Sequence, residues 1–325
     1  MCADQLALFP DAARGPTLRD LAEAIRQAGI EGLPDAKRRA DEARYQEVQV
    51  RSALTAVTGM PFRWALNPYR GCTHACEYCY ARKYQRHLEL GAGDDFSSVI
   101  FVKTNLPSTL TRELARPGWT REVVAVGTAT DPYQPIEGHY RITRRCLEAL
   151  VAARTPFSLV TKGPMVVRDT DVLARAARGA GCQVMMSVPS IDVDAAALLE
   201  PGAAPPAQRL RALQQLRDAG VPVGVLMMPL VPGVTTSRES IDRTVAAVAE
   251  AGLPLAGACV ARLDDGVKPY FFGFLERQRP DLLPGYRRLY ERTRARRDYA
   301  AAVARRVEAA RQRVAAAQCA LTRPG

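Results

Sequence analysis

Asn67-Pro-Tyr-Arg-Gly-Cys-Thr-His-Ala-Cys-Glu-Tyr-Cys-Tyr-Ala-Arg82 sets Cys72, Cys76 and Cys79 in a C-x3-C-x2-C spacing. Three thiols this close along a chain can share one metal centre. A 4Fe-4S cluster ordinarily takes four Cys ligands, and with no fourth Cys nearby one iron would stay open to an outside ligand. Two other readings fit the same residues. Zinc is bound by Cys and His, and His74 lies inside the loop, although zinc ligands usually come as two separated pairs and no second pair follows. Three unligated core thiols are the other reading, but thiols set among Gly71, Thr73 and His74 do not resemble helix or strand packing.

Outward from this loop, from Phe62 onward, short apolar runs alternate with helical stretches, the pattern of an α/β sheet with parallel strands. Six runs stand out, at residues 63–69, 123–128, 157–161, 183–188, 221–228 and 256–262, with a further candidate at 99–103. Helices are expected at 79–89, 143–153, 169–178, 207–219 and 236–251. Thr236-Ser-Arg-Glu239 reads as a capping box, and the helix it opens carries Ile241, Val245, Val248 and Ala249 at core-facing spacing. Ala219-Gly-Val-Pro222 and Ala251-Gly-Leu-Pro254 end two helices alike, with Gly at the left-handed cap and Pro soon after, as in repeated βα units. An eight-fold barrel takes about 250 residues. Only residues 63–262 lie between the first strand and the last, so six units fit better.

In barrels the site lies at the C-terminal strand ends, and three of those ends are polar. Gly127-Thr-Ala-Thr-Asp-Pro-Tyr-Gln-Pro-Ile-Glu137 follows the second strand with two hydroxyls, Asp131 and Glu137, which can accept hydrogen bonds from an ammonium group; the same residues also make a capped strand exit. Lys162 ends the third strand and can bind a carboxylate as a point charge. Ser187, Ser190 and Asp192 end the fourth with hydroxyls and a carboxylate. Leu226-Met-Met-Pro-Leu-Val-Pro-Gly233 offers apolar surface for a bound group or simply more core. Each residue alone reads as a surface or cap position, whereas three successive polar ends mark one site.

The cysteine stretch closely resembles the cluster-binding loop of the radical S-adenosylmethionine (radical SAM) superfamily, C-x3-C-x-aromatic-C, with Tyr78 as the aromatic. Together with Thr-Asp-Pro-Tyr-Gln134, Thr161-Lys162, Ser187-x-x-Ser190-x-Asp192, Glu200-Pro and the Pro-Gly pair at 232–233, residues 60–280 are similar to the spore photoproduct lyase-related branch. The resemblance implies a partial (β/α)6 barrel, a 4Fe-4S cluster on Cys72, Cys76 and Cys79, and SAM chelating the open iron. It implies reductive cleavage of SAM to a 5'-deoxyadenosyl radical that takes hydrogen from a substrate, and a reducing partner such as flavodoxin or ferredoxin. It gives Tyr78 a main-chain adenine contact, Thr130 and Asp131 the methionyl end, Lys162 the carboxylate and Ser187 the ribose. The lyase of this branch uses a Cys hydrogen donor just before its Thr-Ser-Asp stretch, where this sequence has Thr128. That sets it apart from the lyase reaction.

The rest of the chain bounds the reading. At 47% hydrophobic residues over 325 positions, a large core is available. The longest apolar stretch, 222–231, falls well short of the ~18 residues of a membrane span. No basic and then apolar leader opens the chain, and Cys2, Cys146, Cys182, Cys259 and Cys319 show no framework spacing, so a reducing cytoplasm is expected. The net charge is +11; residues 277–325 hold 13 Arg against 4 acids, 13 − 4 = +9. That tail reads as a contact for a polyanion such as nucleic acid or as a solvated Arg-rich helix. Three regions are expected: an N-terminal extension, 1–61, with a helix near 17–28; the core, 62–275; and a basic helical region, 276–325, with helices from 285 and over 294–318. Tyr270, Phe271 and Phe274 are expected to pack on the barrel. Cys319, Tyr133 and Tyr270 are candidate hydrogen donors, and Cys146, Cys182 and Cys259 candidate packing residues. The substrate stays open between a nucleic-acid base or lesion and a small metabolite or peptide. A non-catalytic zinc- or nucleic-acid-binding protein is the reading from a different class.

Overall fold

Phe157-Ser-Leu-Val-Thr161 buries Phe157, Leu159 and Thr161 while Ser158 and Val160 stay half-buried, the period-two pattern of a strand with unequal faces. The same logic builds ten strands in the computed structural model, which describes residues 41–88 and 92–321. They are β1 (Arg44–Val48), β2 (Leu54–Ala56), β3 (Trp64–Leu66), β4 (Tyr69–Arg70), β5 (Val99–Lys103), β6 (Val124–Val126), β7 (Phe157–Thr161), β8 (Cys182–Ser187), β9 (Val223–Leu230) and β10 (Leu255–Val260). The larger sheet has seven strands in the order β10-β9-β8-β7-β6-β3-β2. From β3 to β10 its neighbours run parallel, and β2 closes the other edge antiparallel to β3. These six parallel strands are the six expected from the sequence, and with the helices between them they form the partial TIM-type barrel.

The helices used below are α1 (Leu106–Leu114), α2 (Ile142–Ala152), α3 (Thr170–Arg178), α4 (Val193–Leu199), α5 (Pro206–Asp218), α6 (Arg238–Glu250), α7 (Lys268–Gln278), α8 (Leu283–Leu289) and α9 (Arg297–Leu321). Gly220 and Gly252 take positive φ of 80° and 66° after α5 and α6, as their Gly-x-Pro endings require. The capping box shifts by one residue: Ser237 caps α6 by accepting from the Ser240 amide. Thr236 is drawn off by the Gly233 amide and the Tyr299 hydroxyl.

Two expectations change. The run at 63–69 is two strands, because β4 leaves the barrel and pairs antiparallel with β5. Pro68 has no N–H to continue a ladder, and Asn67 turns its side chain to the Ala129 amide and the Thr128 hydroxyl. The strand at 99–103 lies in this second sheet, order β1-β5-β4. Within the region expected as an N-terminal extension, β1 joins the second sheet and β2 the larger one; the helix expected at 17–28 lies outside the described residues.

The main core fills the space between the sheet and helices α1, α2, α3 and α5, around Leu66, Val126, Leu159, Val184 and Val225. At the other edge, Met227 and Leu230 of β9 pack with Ile241 and Val245 of α6 and with Val303 and Val307 of α9. Phe271 and Phe274 pack with Tyr286, Tyr290 and the loop residues Cys76 and Tyr78, so the C-terminal helices cover the open side. Tyr270 differs from its two neighbours: it turns to the cysteine loop. No helix among the described residues is long and apolar enough to cross a membrane.

Candidate active site

The cysteine loop leaves β4 through Gly71, whose φ is 83° and where a Cβ would stand 2.6 Å from the Val99 carbonyl oxygen. Only glycine allows that turn so close to β5. Backbone bonds then shape the loop: Cys72 N–H donates to Phe96, Ala75 to Cys72 and Cys79 to Cys76. Three later parts of the chain hold it from outside. Gln134, fully buried, accepts from the Thr73 amide at 3.1 Å and donates to the Gly71 carbonyl and the Thr130 hydroxyl. The end of α4 and the segment after it meet its far side, with Glu77 N–H donating to Leu199 and Gly202 N–H donating to His74. Gly202 fits because a side chain there would overlap the Thr73 carbonyl oxygen. Finally, Tyr270 of α7 donates to Glu77 at 2.7 Å and Lys83 pairs with Asp264 at 2.7 Å.

The polar strand ends gather at this loop. Thr130 donates to the Gly71 carbonyl at 2.6 Å. Asp131 accepts from the Thr161 hydroxyl at 2.6 Å, from the Lys162 amide at 2.7 Å and from the Tyr133 amide at 2.9 Å, with His74 Nδ1 at 3.3 Å. Burial pushes its carboxyl up, but His74, Thr161 and the Lys162 amide more than offset this and hold it at about 2. In this arrangement Thr130 and Asp131 spend their hydrogen bonds on the chain, joining the cysteine loop to the exits of β6 and β7, rather than standing free for an ammonium group. Glu137, also expected as a free acceptor, is fully buried and serves Tyr69, Arg168 and the Thr143 amide. It faces the second sheet.

Lys162 lies 3.8 Å from Glu200 and above the Tyr78 ring at 5.7 Å. Burial lowers the pKa of its ammonium group, but the thiolate form of Cys76 and the carboxylate of Glu200 raise it above the usual lysine range. Tyr78 is buried and donates to Glu200. The other oxygen of Glu200 pairs with Arg209 at 2.5 Å, and Arg209 also donates to the Ser187 carbonyl at 2.9 Å. The Ser187 hydroxyl donates to the Met228 carbonyl. Met227 is core, while Met228 is half-buried on the opposite face of β9.

Gln134, Glu200, Arg209 and Arg82 were not singled out as site residues from the sequence. Gln134 and Glu200 sit in the quoted motifs, and Arg82 ends the cysteine stretch, so those signals were present. Arg209 gave none among the many arginines of the chain. Of the candidate hydrogen donors, Tyr133 is buried and donates to Asp169 at 2.9 Å, and Tyr270 is committed to Glu77. Cys146 and Cys182 are buried as expected, whereas Cys259 is exposed. Its neighbours Ala258 and Val260 pack toward α9, so alternation along β10 turns Cys259 to the opposite face. The side chain of Cys319 lies outside the described residues.

The loop fits an iron-sulfur centre by its donors. Cys72 and Cys76 are buried and Cys79 is half-buried. Burial pushes the Cys76 thiol up to about 12, with Lys162 opposing, and burial also raises that of Cys72 well above the usual thiol range, with Asp131 adding to it. Such thiols gain by giving their protons up to a metal, since coordination deprotonates them. Beside Cys72, the buried Thr73 hydroxyl has no hydrogen-bond partner among the described residues. Among the described residues no three His, Cys, Asp or Glu side chains gather as ligands of a single ion, and His74, the nitrogen ligand of the zinc reading, aims Nδ1 at Asp131.

A partial barrel with three cysteines after its first strand defines a class of enzymes that open S-adenosylmethionine with an electron from an iron-sulfur centre. Residues 66–245 match the family model described as the radical SAM superfamily. An uncharacterized protein of Mycobacterium tuberculosis is 38% identical over 255 residues, covering 78% of this chain and 75% of the relative. One from Methanocaldococcus jannaschii is 26% identical over 182 residues, covering 56% and 66%. Among solved structures, a cysteine-to-serine mutant of spore photoproduct lyase aligns with a TM-score of 0.64 at 17% identity over 91% of both chains. A further mutant of that lyase, with bound AdoMet and dinucleoside spore photoproduct, aligns with a TM-score of 0.65 at 16% identity over the same shares; both are likenesses of fold. The chain belongs to the radical SAM superfamily and is a radical SAM enzyme. Membership brings SAM and an iron-sulfur cluster with it and displaces the non-catalytic reading.

Proposed function

We propose that this enzyme carries a 4Fe-4S cluster on Cys72, Cys76 and Cys79, binds SAM at the iron the cysteines leave open, and takes hydrogen from a nucleic-acid base or lesion. A cluster held by Cys72, Cys76 and Cys79 would supply the one electron for reductive cleavage of the SAM sulfonium to methionine and a 5'-deoxyadenosyl radical. The chain supplies place and charge. Lys162, a cation held by Glu200, offers its ammonium to the SAM carboxylate. The main chain at Tyr78 takes the adenine edge and Ser187 the ribose. Thr130 and Asp131 set the methionyl end by fixing the Gly71 turn and the β7 exit. The observation that carries this reading is the loop of three sheltered thiols with Lys162, Glu200 and Ser187 beside it.

For the substrate, the support is the dinucleoside spore photoproduct bound by a protein of the same fold and the +9 charge of residues 277–325. Thr128 sets the chain apart from the lyase reaction itself, so the chemistry on the substrate radical is not borrowed. A cytoplasmic setting and a small acidic reductant such as flavodoxin or ferredoxin suit an oxygen-sensitive centre.

The test is anaerobic reconstitution and dithionite reduction with SAM. The expected product is 5'-deoxyadenosine, absent in Cys76→Ala together with the iron; a fully loaded protein that releases none overturns the reading. Binding to an oligonucleotide should fall steeply with salt. Charge reversal of Arg305 and Arg311, both exposed, tests the tail without removing α9, whose Val303 and Val307 are core. Salt-independent binding unaffected by these changes would turn the reading to a small metabolite or peptide.

A further inference from the structure

Arg82 is 1% exposed and among the largest fully buried side chains of the protein. Its guanidinium faces the backbone of the cysteine loop: Nε donates to the Cys76 carbonyl at 3.0 Å and Nη2 to that of Ala75 at 2.8 Å. Nη1 donates to Ala92 and Gly93 at 3.1 and 2.9 Å. The Tyr270 ring lies 4.0 Å from its central carbon and the Phe96 ring 5.2 Å. Carbonyl dipoles and ring faces solvate this charge, and among the described residues the hydrogen bonds of the guanidinium go to backbone carbonyls rather than to a carboxylate. Other cations of the site differ. Arg209 has Glu200 at 2.5 Å and Arg168 has Glu137 and Asp169 at 2.8 Å.

A buried charge without a counter-ion is costly, and proteins ordinarily pair or neutralise it. The guanidinium cannot lose its proton. The loop it grips would supply a negative charge, since three thiolates would give a bound cluster a net negative charge that grows by one on reduction. A fixed cation at that place favours the reduced form over the oxidised one, and net charge and hydrogen bonding are among the levers that set cluster potentials.

We propose that Arg82 is the built-in counter-cation of the cluster, a positioning residue whose charge raises the reduction potential and so eases electron entry. This rests on the cluster reading above. That reading fails if wild-type protein takes up no iron and sulfide, whereas the present inference is read from the potential of protein that has taken them up.

The experiment is an anaerobic redox titration of reconstituted protein followed by EPR, comparing wild type with Arg82→Gln and Arg82→Lys at matched iron and sulfide content. Arg82→Gln should make reduction about tenfold less favourable, which for one electron is a shift of about 59 mV to the negative side. Arg82→Lys, which keeps the charge but not the fork of donors, should stay near wild type. An unchanged potential in loaded Arg82→Gln overturns the proposal, as does an equal shift in both variants, which would assign the effect to loop geometry. Should Arg82→Gln not load, Tyr270→Glu puts a carboxylate against the guanidinium while leaving its carbonyl contacts in place. The same negative shift is expected there, and an unshifted potential in that loaded variant overturns the proposal.

Discussion

Arg209→Met removes one charge from the buried pair beside Tyr78 and Lys162 while keeping an apolar stem. The side chains of Arg209 and Glu200 are 1% and 3% exposed and meet at 2.5 Å, so solvent screening does little to weaken the pair. Breaking a buried pair by deleting one partner costs about 3–5 kcal/mol, because the survivor is left charged without its counter-ion. Lys162, at 3.8 Å, compensates in part and keeps the loss toward the lower figure. Against a total stability of about 5–15 kcal/mol the protein still folds, with a melting temperature lowered by about 10 °C at about 2–4 °C per kcal/mol. The assay is thermal unfolding of the metal-free protein under anaerobic conditions, with Glu200→Leu/Arg209→Met beside it. Removing both charges should restore stability relative to the single variant, since a buried pair replaced by apolar groups is often neutral. A single variant within about 1 kcal/mol of wild type, or a double variant no more stable than the single, would refute the idea that Glu200 depends on Arg209. In the loaded enzyme the single variant should also raise KM for SAM, because Arg209 holds the Ser187 carbonyl as well.

Gly202→Ala pushes a methyl into the Thr73 carbonyl oxygen and the His74 backbone. It should lower the iron and sulfide taken up per chain; Gly220→Ala, with φ 80° and open space around it, costs about 1 kcal/mol and should leave uptake intact. Asp131, held at about 2 against about 3.9 when unfolded, contributes about 2–3 kcal/mol. That contribution is fully present above about pH 5 and is lost as pH falls toward 2. Urea unfolding of Asp131→Asn between pH 6 and 3 should be less stable than wild type at pH 6 and flatter across the range; parallel curves would argue against the pairing.

Much of the barrel was legible because each of its strands buries one face and so carries its own period. The cysteine triplet was legible for a similar reason, its meaning being local spacing. The second sheet was not, since β4 is two residues long and follows an apolar run without a break in composition. What ends that run is the tertiary engagement of Asn67 by Thr128 and Ala129. Likewise Thr236 and Ser237 are equal candidates for a cap until Tyr299 claims one of them. Arg82 and Arg209 were hidden by kind: in an Arg-rich chain only burial distinguishes a structural cation from a surface one. Glu200 and Gln134 stood in recognised motifs, yet their work is done at loop positions 122 and 61 residues away.

The Tyr78–Glu200–Arg209 chain also carries a timetable. Arg209 follows Cys79 by 209 − 79 = 130 residues, so at about 5–20 residues per second about 7–26 s of translation separate them. During that interval the three thiols have emerged without the residues that will shelter them. The Glu200–Arg209 pair that fixes Tyr78 can therefore form only after that interval. A nascent chain stalled before α5 would present bare thiols to copper, zinc or oxygen, making the half-made protein more vulnerable than the finished one.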